Sequence, residues 1–195
     1  MINRNGKPEN ALPNSARTNR WIGLVLASGL LFAGCAPIAH HRNQPHAVKG
    51  TLDLSNWDFE KGGSVELSGE CEFFWQQHVR PESFSLSQSP KSSGFIKVPG
   101  VWNGQDVNGI KLSGAGCATY RLTILFNDSL RKKLAFKFSD MGTACAVFAN
   151  GKKIRAVGVA GTNPETTVPE YLPQIVDFVP DSNRLELIYL VSNFH

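Results

Sequence analysis

The stretch LAFKFSDMGTACAVFANGKKIR, Leu134 to Arg155, constrains the fold more than any other part of the chain. Leu134, Phe136 and Phe138 alternate with Ala135 and Lys137, the two-residue period of a strand with one buried face. A second apolar run, Ala144 to Ala149, ends on Asn150-Gly151, the dipeptide that best tolerates the two positive-φ positions of a type I′ hairpin turn. Lys152 to Val157 supplies the return strand. A chain with this centre folds as antiparallel sheet, and the remaining question is what that sheet displays, and where.

The same alternation predicts other strands. Val65, Leu67, Gly69, Cys71 and Phe73 alternate with Glu66, Ser68, Glu70 and Glu72, so one face of that strand is expected to be buried and the other solvated. Glu70 and Glu72 point the same way, as a catalytic pair would, but on a wet strand face the expected role is solvation. Phe95 to Val98, Tyr120 to Phe126, Ile175 to Val179 and Leu185 to Val191 are further strands. Gly104, Gly109, Gly114 and Gly116 mark a loop. Gly158, Gly161, Pro164, Pro169 and Pro173 mark a second loop, long enough to be a functional candidate. No run of ten or more residues after the first fifty carries a 3.6-residue period. The expected fold is therefore all-β, a β-sandwich of roughly eight strands with short turns at one end and Gly/Pro loops at the other.

Hydrophobic residues make up 42% of the 195, enough for a real core, and charged residues 18%. The formal charge of +4 is concentrated at the start: residues 1–34 hold Arg4, Lys7, Arg17 and Arg20 against Glu9. The rest carries 16 basic and 15 acidic residues, which gives no electrostatic case for a nucleic-acid partner.

Trp21 to Ala33 is an uncharged apolar run preceded by Arg17 and Arg20, shorter than a bilayer span of about 20 residues and suited to a secretory signal. The following Gly34-Cys35 resembles the lipobox of bacterial lipoproteins, with Cys35 as the acylated residue. Phe32 departs from the preferred Leu, and the lead before the apolar run is long. An ordinary signal peptide or an uncleaved signal anchor is the alternative. The resemblance implies a lipid-anchored extracytoplasmic protein, and Ala36 after the cysteine favours the outer membrane. The expected organisation is a signal peptide over 1–34, Cys35 and a flexible tether over 35–50, and a folded domain over 51–195. His40, His41 and His46 lie in that tether, which does not preorganise metal ligands. No metal site or cofactor is expected.

Apart from Cys35 the cysteines are Cys71, Cys117 and Cys145, an odd number without CxxC spacing, so at most one pair can form within the chain. Buried small apolar side chains are the simplest reading.

Several pieces, in order, carry a family resemblance. Val98-Pro99 with Trp102, Ala118-Thr119-Tyr120-Arg121, Ala149-Asn150-Gly151-Lys152, Asn183-Arg184-Leu185-Glu186-Leu187 and Val191-Ser192-Asn193 resemble the sugar-binding jelly roll of glycoside hydrolase family 2. Leu52-Asp53-Leu54-Ser55, Trp57-Asp58-Phe59-Glu60, Leu67-Ser68-Gly69-Glu70 and Phe73-Phe74-Trp75 are more particular. They resemble the extracytoplasmic sensory domain of bacterial seven-transmembrane receptors with diverse intracellular signalling modules. The resemblance covers Gly50 to His195 and implies a galactose-binding-like jelly roll. It also implies an aromatic residue where Cys71, Cys117 and Cys145 stand, and a closing strand and membrane region beyond His195.

The implied function is non-catalytic binding of a carbohydrate-like or other small polar ligand by a sensor module. Candidate ligand contacts are Trp102 for stacking, Asn103, Arg121 and Asn193 for hydroxyl groups, and Tyr171 in the long loop. An enzyme is not expected, because in that hydrolase family the acid and nucleophile lie on a separate barrel domain. The alternatives are a lipid-anchored protein that contacts a partner receptor or envelope protein without a small ligand, and an accessory domain of a glycosidase.

Overall fold

A computed structural model describes residues 44–127, 132–138 and 143–194. Wherever apolar residues alternate, strands form: β1 (Thr51–Leu54), β2 (Gly69–Trp75), β3 (Gly94–Val98), β4 (Asp106–Val107), β5 (Ile110–Lys111), β6 (Gly116–Phe126), β7 (Leu134–Phe138), β8 (Ala144–Ala149), β9 (Lys152–Val157), β10 (Gln174–Phe178) and β11 (Arg184–Asn193). The one α-helix among the described residues, α1 (Phe59–Gly62), is a single turn whose start is capped by the Asp58 carboxylate accepting from the Glu60 and Lys61 amides. The fold is all-β, as expected.

The main sheet runs β3-β2-β6-β11-β8-β9. β6 is long enough to serve two neighbours on one edge: Ala118 to Arg121 pair antiparallel with β2, and Thr123 to Phe126 pair parallel with β1. β11 pairs with β6 along its whole length. A second sheet, β10-β7, turns Leu134, Phe136 and Phe178 onto the inner face of the first, making the sandwich. The Asn150-Gly151 turn closes β8-β9 with both residues at positive φ (45° and 80°), as the sequence predicts.

Two buried clusters form the core. One gathers Leu52, Leu54, Cys71, Leu122, Ile124, Phe126, Ala149, Leu185 and Leu187. The other gathers Phe73, Ile96, Trp102, Val107, Leu112, Ala118, Cys145, Val157 and Val191. Tyr120 and Tyr189 pack against both.

Several boundaries differ from expectation. The strand read as 65–73 begins at Gly69, where the backbone of Ala47 presses against the glycine, and Val65 to Ser68 approach it without pairing as a strand. Its outer face is not wholly solvated either, because Phe74 is buried and meets Phe84 edge-on from the 3-10 turn Pro81–Ser85. Residues 44–50, read as the end of a tether, pack onto the domain. Ala47 is buried and its amide donates to Ser68 O, while the Gln44 side chain reaches Ser64 O and the Glu66 amide. The glycine-rich loop contains the small hairpin β4-β5, turned at Asn108-Gly109 with φ of 51° and 81°. The signal segment 1–34, Cys35, His40 and His41 lie outside the described residues.

Candidate functional site

Register fixes a row of side chains across the inner face of the main sheet. Phe73 pairs with Tyr120, Tyr120 with Tyr189, Tyr189 with Val147, and Val147 with Arg155, so one line crosses β2, β6, β11, β8 and β9. At about 4.8 Å between strands, neighbouring members touch. Tyr120 and Tyr189, in the middle of this line, are partly open to solvent although they face the core. Neither hydroxyl has a hydrogen-bond partner among the described residues. Burial pushes both phenols up, with the Arg155 charge drawing Tyr189 partly back, so at neutral pH both are uncharged donor-acceptors.

Aromatic rings build the wall on the β2 side. Trp102 stacks near-parallel to Tyr120 at 6.5 Å and meets Trp75 edge-on at 5.4 Å, while Phe73 meets Tyr120 edge-on at 5.0 Å. Trp102 is only 7% exposed, so it serves as wall and core at once. Its indole Nε1 donates to Gly114 O at 3.0 Å, and the Asn193 amide donates to the same carbonyl at 3.0 Å. Asn103 lies against Gly114 with its amide exposed and without a partner among the described residues. Three of the expected site residues, Trp102, Asn103 and Asn193, thus converge at one end of the inner face.

The other two do not join them. Arg121 points to the opposite face of β6, where its Nε donates to Glu186 at 2.7 Å, its Nη1 lies 3.4 Å from Glu72, and its guanidinium covers the Phe84 ring at 4.3 Å. Side chains alternate along a strand, so Arg121 stands on the face of β6 opposite Tyr120 and is not brought together with Trp102, Asn103 and Asn193. Tyr171 is 69% exposed in the long loop, away from any ring partner among the described residues.

Arg155 was not among the expected site residues. From the Asn150-Gly151 turn, Ala149 pairs with Lys152 and Phe148 with Lys153, which would place Ile154 opposite Val147 and send Arg155 outward. A β-bulge between Val147 and Phe148 adds one residue on β9, so Val147 pairs with Arg155 instead and the guanidinium enters the core. There it is 4% exposed, lies 5.0 Å from the Phe138 ring centroid and donates to Leu172 O at 2.6 Å, with Cys145 Sγ at 3.8 Å. Its Nε has no partner among the described residues. None of the ion pairs among the described residues involves it. No apolar period in the sequence announces an arginine turned inward by a bulge.

Nothing else in the described residues gathers into a reactive centre. Cys71, Cys117 and Cys145 are buried and in no disulfide. Burial pushes the Cys71 thiol up to about 12 and raises Cys117, so neither is a thiolate nucleophile. No group of three His, Cys, Asp or Glu side chains among the described residues is placed to hold a metal. Glu70 and Glu72 are engaged separately, Glu70 accepting from the Lys49 amide and Glu72 beside Arg121.

No protein-family profile and no curated relative matches the chain. Among solved structures it is similar to a β-glucuronidase from an uncultured Clostridium species (17% identity, TM-score 0.48), covering 66% of this chain and 22% of that one. It is also similar to the β-glucuronidases of Faecalibacterium prausnitzii (14%, TM-score 0.48, 66% and 20%) and Ruminococcus gnavus (16%, TM-score 0.45, 65% and 21%). The chain spans about a fifth of the length of these enzymes.

Proposed function

We propose that this chain is a non-catalytic extracytoplasmic binding module for a carbohydrate-like, polyhydroxylated ligand. In this reading it is the sensory part of a bacterial membrane signalling receptor, or a lipid-anchored stand-alone form of that part. One observation carries the binding role: Tyr120 and Tyr189, paired in register on the inner face, are partly open and have unpartnered hydroxyls. Two neighbouring phenols without a protein partner are free to donate to and accept from a polar ligand. The aromatic rings beside them suit the C–H face of a sugar ring, and the amides of Asn103 and Asn193 suit its hydroxyls. The sensory role rests on the resemblance of the Leu52 to Trp75 segments, and the extracytoplasmic place on the apolar run before Cys35.

A glycan array with the full chain tests the binding role. Saturable binding is expected, weakened about fivefold in Tyr189→Phe, which keeps the ring and removes one hydroxyl worth roughly 1 kcal/mol. Absence of binding to every glycan would favour a protein partner instead, a reading for which the open apolar side chains of Tyr171 and Ile175 (69% and 70% exposed) speak.

A further inference from the structure

We infer that the ligand of the inner-face site carries a carboxylate, and that Arg155 holds it. This rests on the reading above only for the rest of the ligand; the anion requirement stands on Arg155 itself. A guanidinium taken out of water needs compensation from a carboxylate or from a full set of acceptors. Arg155 has neither: it is 4% exposed, joins no ion pair among the described residues, and its Nε–H is unpartnered. The geometry is more specific than a missing counter-charge. Nε–H and the adjacent Nη2–H form the planar fork that a carboxylate fills with its two oxygens. Here a single oxygen, Leu172 O at 2.6 Å from Nη2, occupies half of that fork.

The half-filled fork lies at the end of the row that contains the two open phenols. Val147, a small residue, separates Arg155 from Tyr189, and Phe138 covers both, its ring 6.4 Å from Tyr189 and 5.0 Å from the guanidinium carbon. A ligand seated on Tyr120 and Tyr189 therefore has a cation two strands beyond Tyr189, on β9 across β8. The group now filling the fork belongs to the loop between β9 and β10, where Tyr171 and Leu172 are exposed. An incoming carboxylate takes Nε and Nη2 together and releases the Leu172 carbonyl to solvent. Ligand binding and movement of this loop are thereby coupled.

Calorimetric titration of the full chain with D-glucuronate and D-galacturonate, against D-glucose, D-galactose and sodium acetate, tests the inference. Each acid sugar differs from its neutral partner chiefly at the carboxylate. At least one uronate is expected to bind about tenfold or more tightly than its neutral partner, the scale of a charge-assisted bidentate pair. Arg155→Gln should abolish that preference, and Arg155→Lys, which keeps the charge but loses the fork, should retain part of it. Should the variants fail to fold, the comparison of acid and neutral sugars on the unaltered chain decides alone. Neutral sugars binding as tightly as the acids, or no uronate binding at all, overturns the inference. Acetate binding as tightly as the uronates upholds the carboxylate at Arg155 while removing the support for a sugar-like ligand.

Discussion

His78 sits half-buried just after β2, its Nε2 3.4 Å from Val191 O and 3.3 Å from Ser192 Oγ, and Ser192 in turn donates to Gly161 O at 2.6 Å. Three segments distant in sequence meet at this imidazole. Burial holds its pKa below the ordinary 6.5, and Arg80 acts in the same direction, against the Val191 carbonyl. Between 6.5 and the folded value the unfolded chain binds the proton that the folded chain refuses, so stability falls as pH drops through that window and is whole above it. Urea midpoints measured from pH 7.5 to 5 should fall less steeply in His78→Gln than in the unaltered chain. Equal slopes would show that His78 does not set the acid limb. At the same scale, the chemistry of Arg155 was invisible in the sequence while that of Arg121 was half-visible. The alternation that sets Tyr120 and Leu122 on one face of β6 sets Arg121 on the other.

At the scale of elements, glycine positions decide how segments approach one another. Gly69 opens β2 at φ 110°, and a Cβ there would stand 2.3 Å from Ala47 O and 2.5 Å from Ala47 N. Gly104 also has positive φ, 77°, but nothing lies within 4 Å of its would-be Cβ. Gly69→Ala must therefore displace residues 44–50 as well as accept backbone strain, and is expected to cost about 1–3 kcal/mol or more in urea unfolding and to open that segment to protease. Gly104→Ala carries the strain alone and is expected to cost about 1 kcal/mol without new cleavage. Equal losses in the two variants would show that the contact with Ala47 contributes nothing. The turns themselves were legible. Asn150-Gly151 predicted its hairpin, and Asn108-Gly109 obeys the same rule, although two-residue strands leave no alternation beside it to read. The bulge in β8-β9 was not legible, because bulges are set by how the strand packs and not by a residue pattern.

For the whole molecule, the proposal places the sandwich outside the cytoplasm on a lipid. No described helix is long and apolar enough to cross a membrane. Several acyl chains, at roughly 0.8 kcal/mol per buried methylene, would hold it without a spanning segment. Growth with labelled palmitate should label the unaltered chain and not Cys35→Ser; label that persists in the variant would sink the lipoprotein reading.

Period-2 alternation and turn dipeptides act within a few residues, so the fold class, the strand centres and one hairpin are legible in the chain without its tertiary contacts. The sequence also brought forward Trp102, Asn103 and Asn193, which meet at Gly114. Packing of distant segments set that Phe74 is buried from the outer side, that Tyr120 and Tyr189 stay partly exposed, and that Arg155 turns inward. Each of these depends on which distant segment covers a face and on a one-residue change of register, and a strand's own residues encode neither.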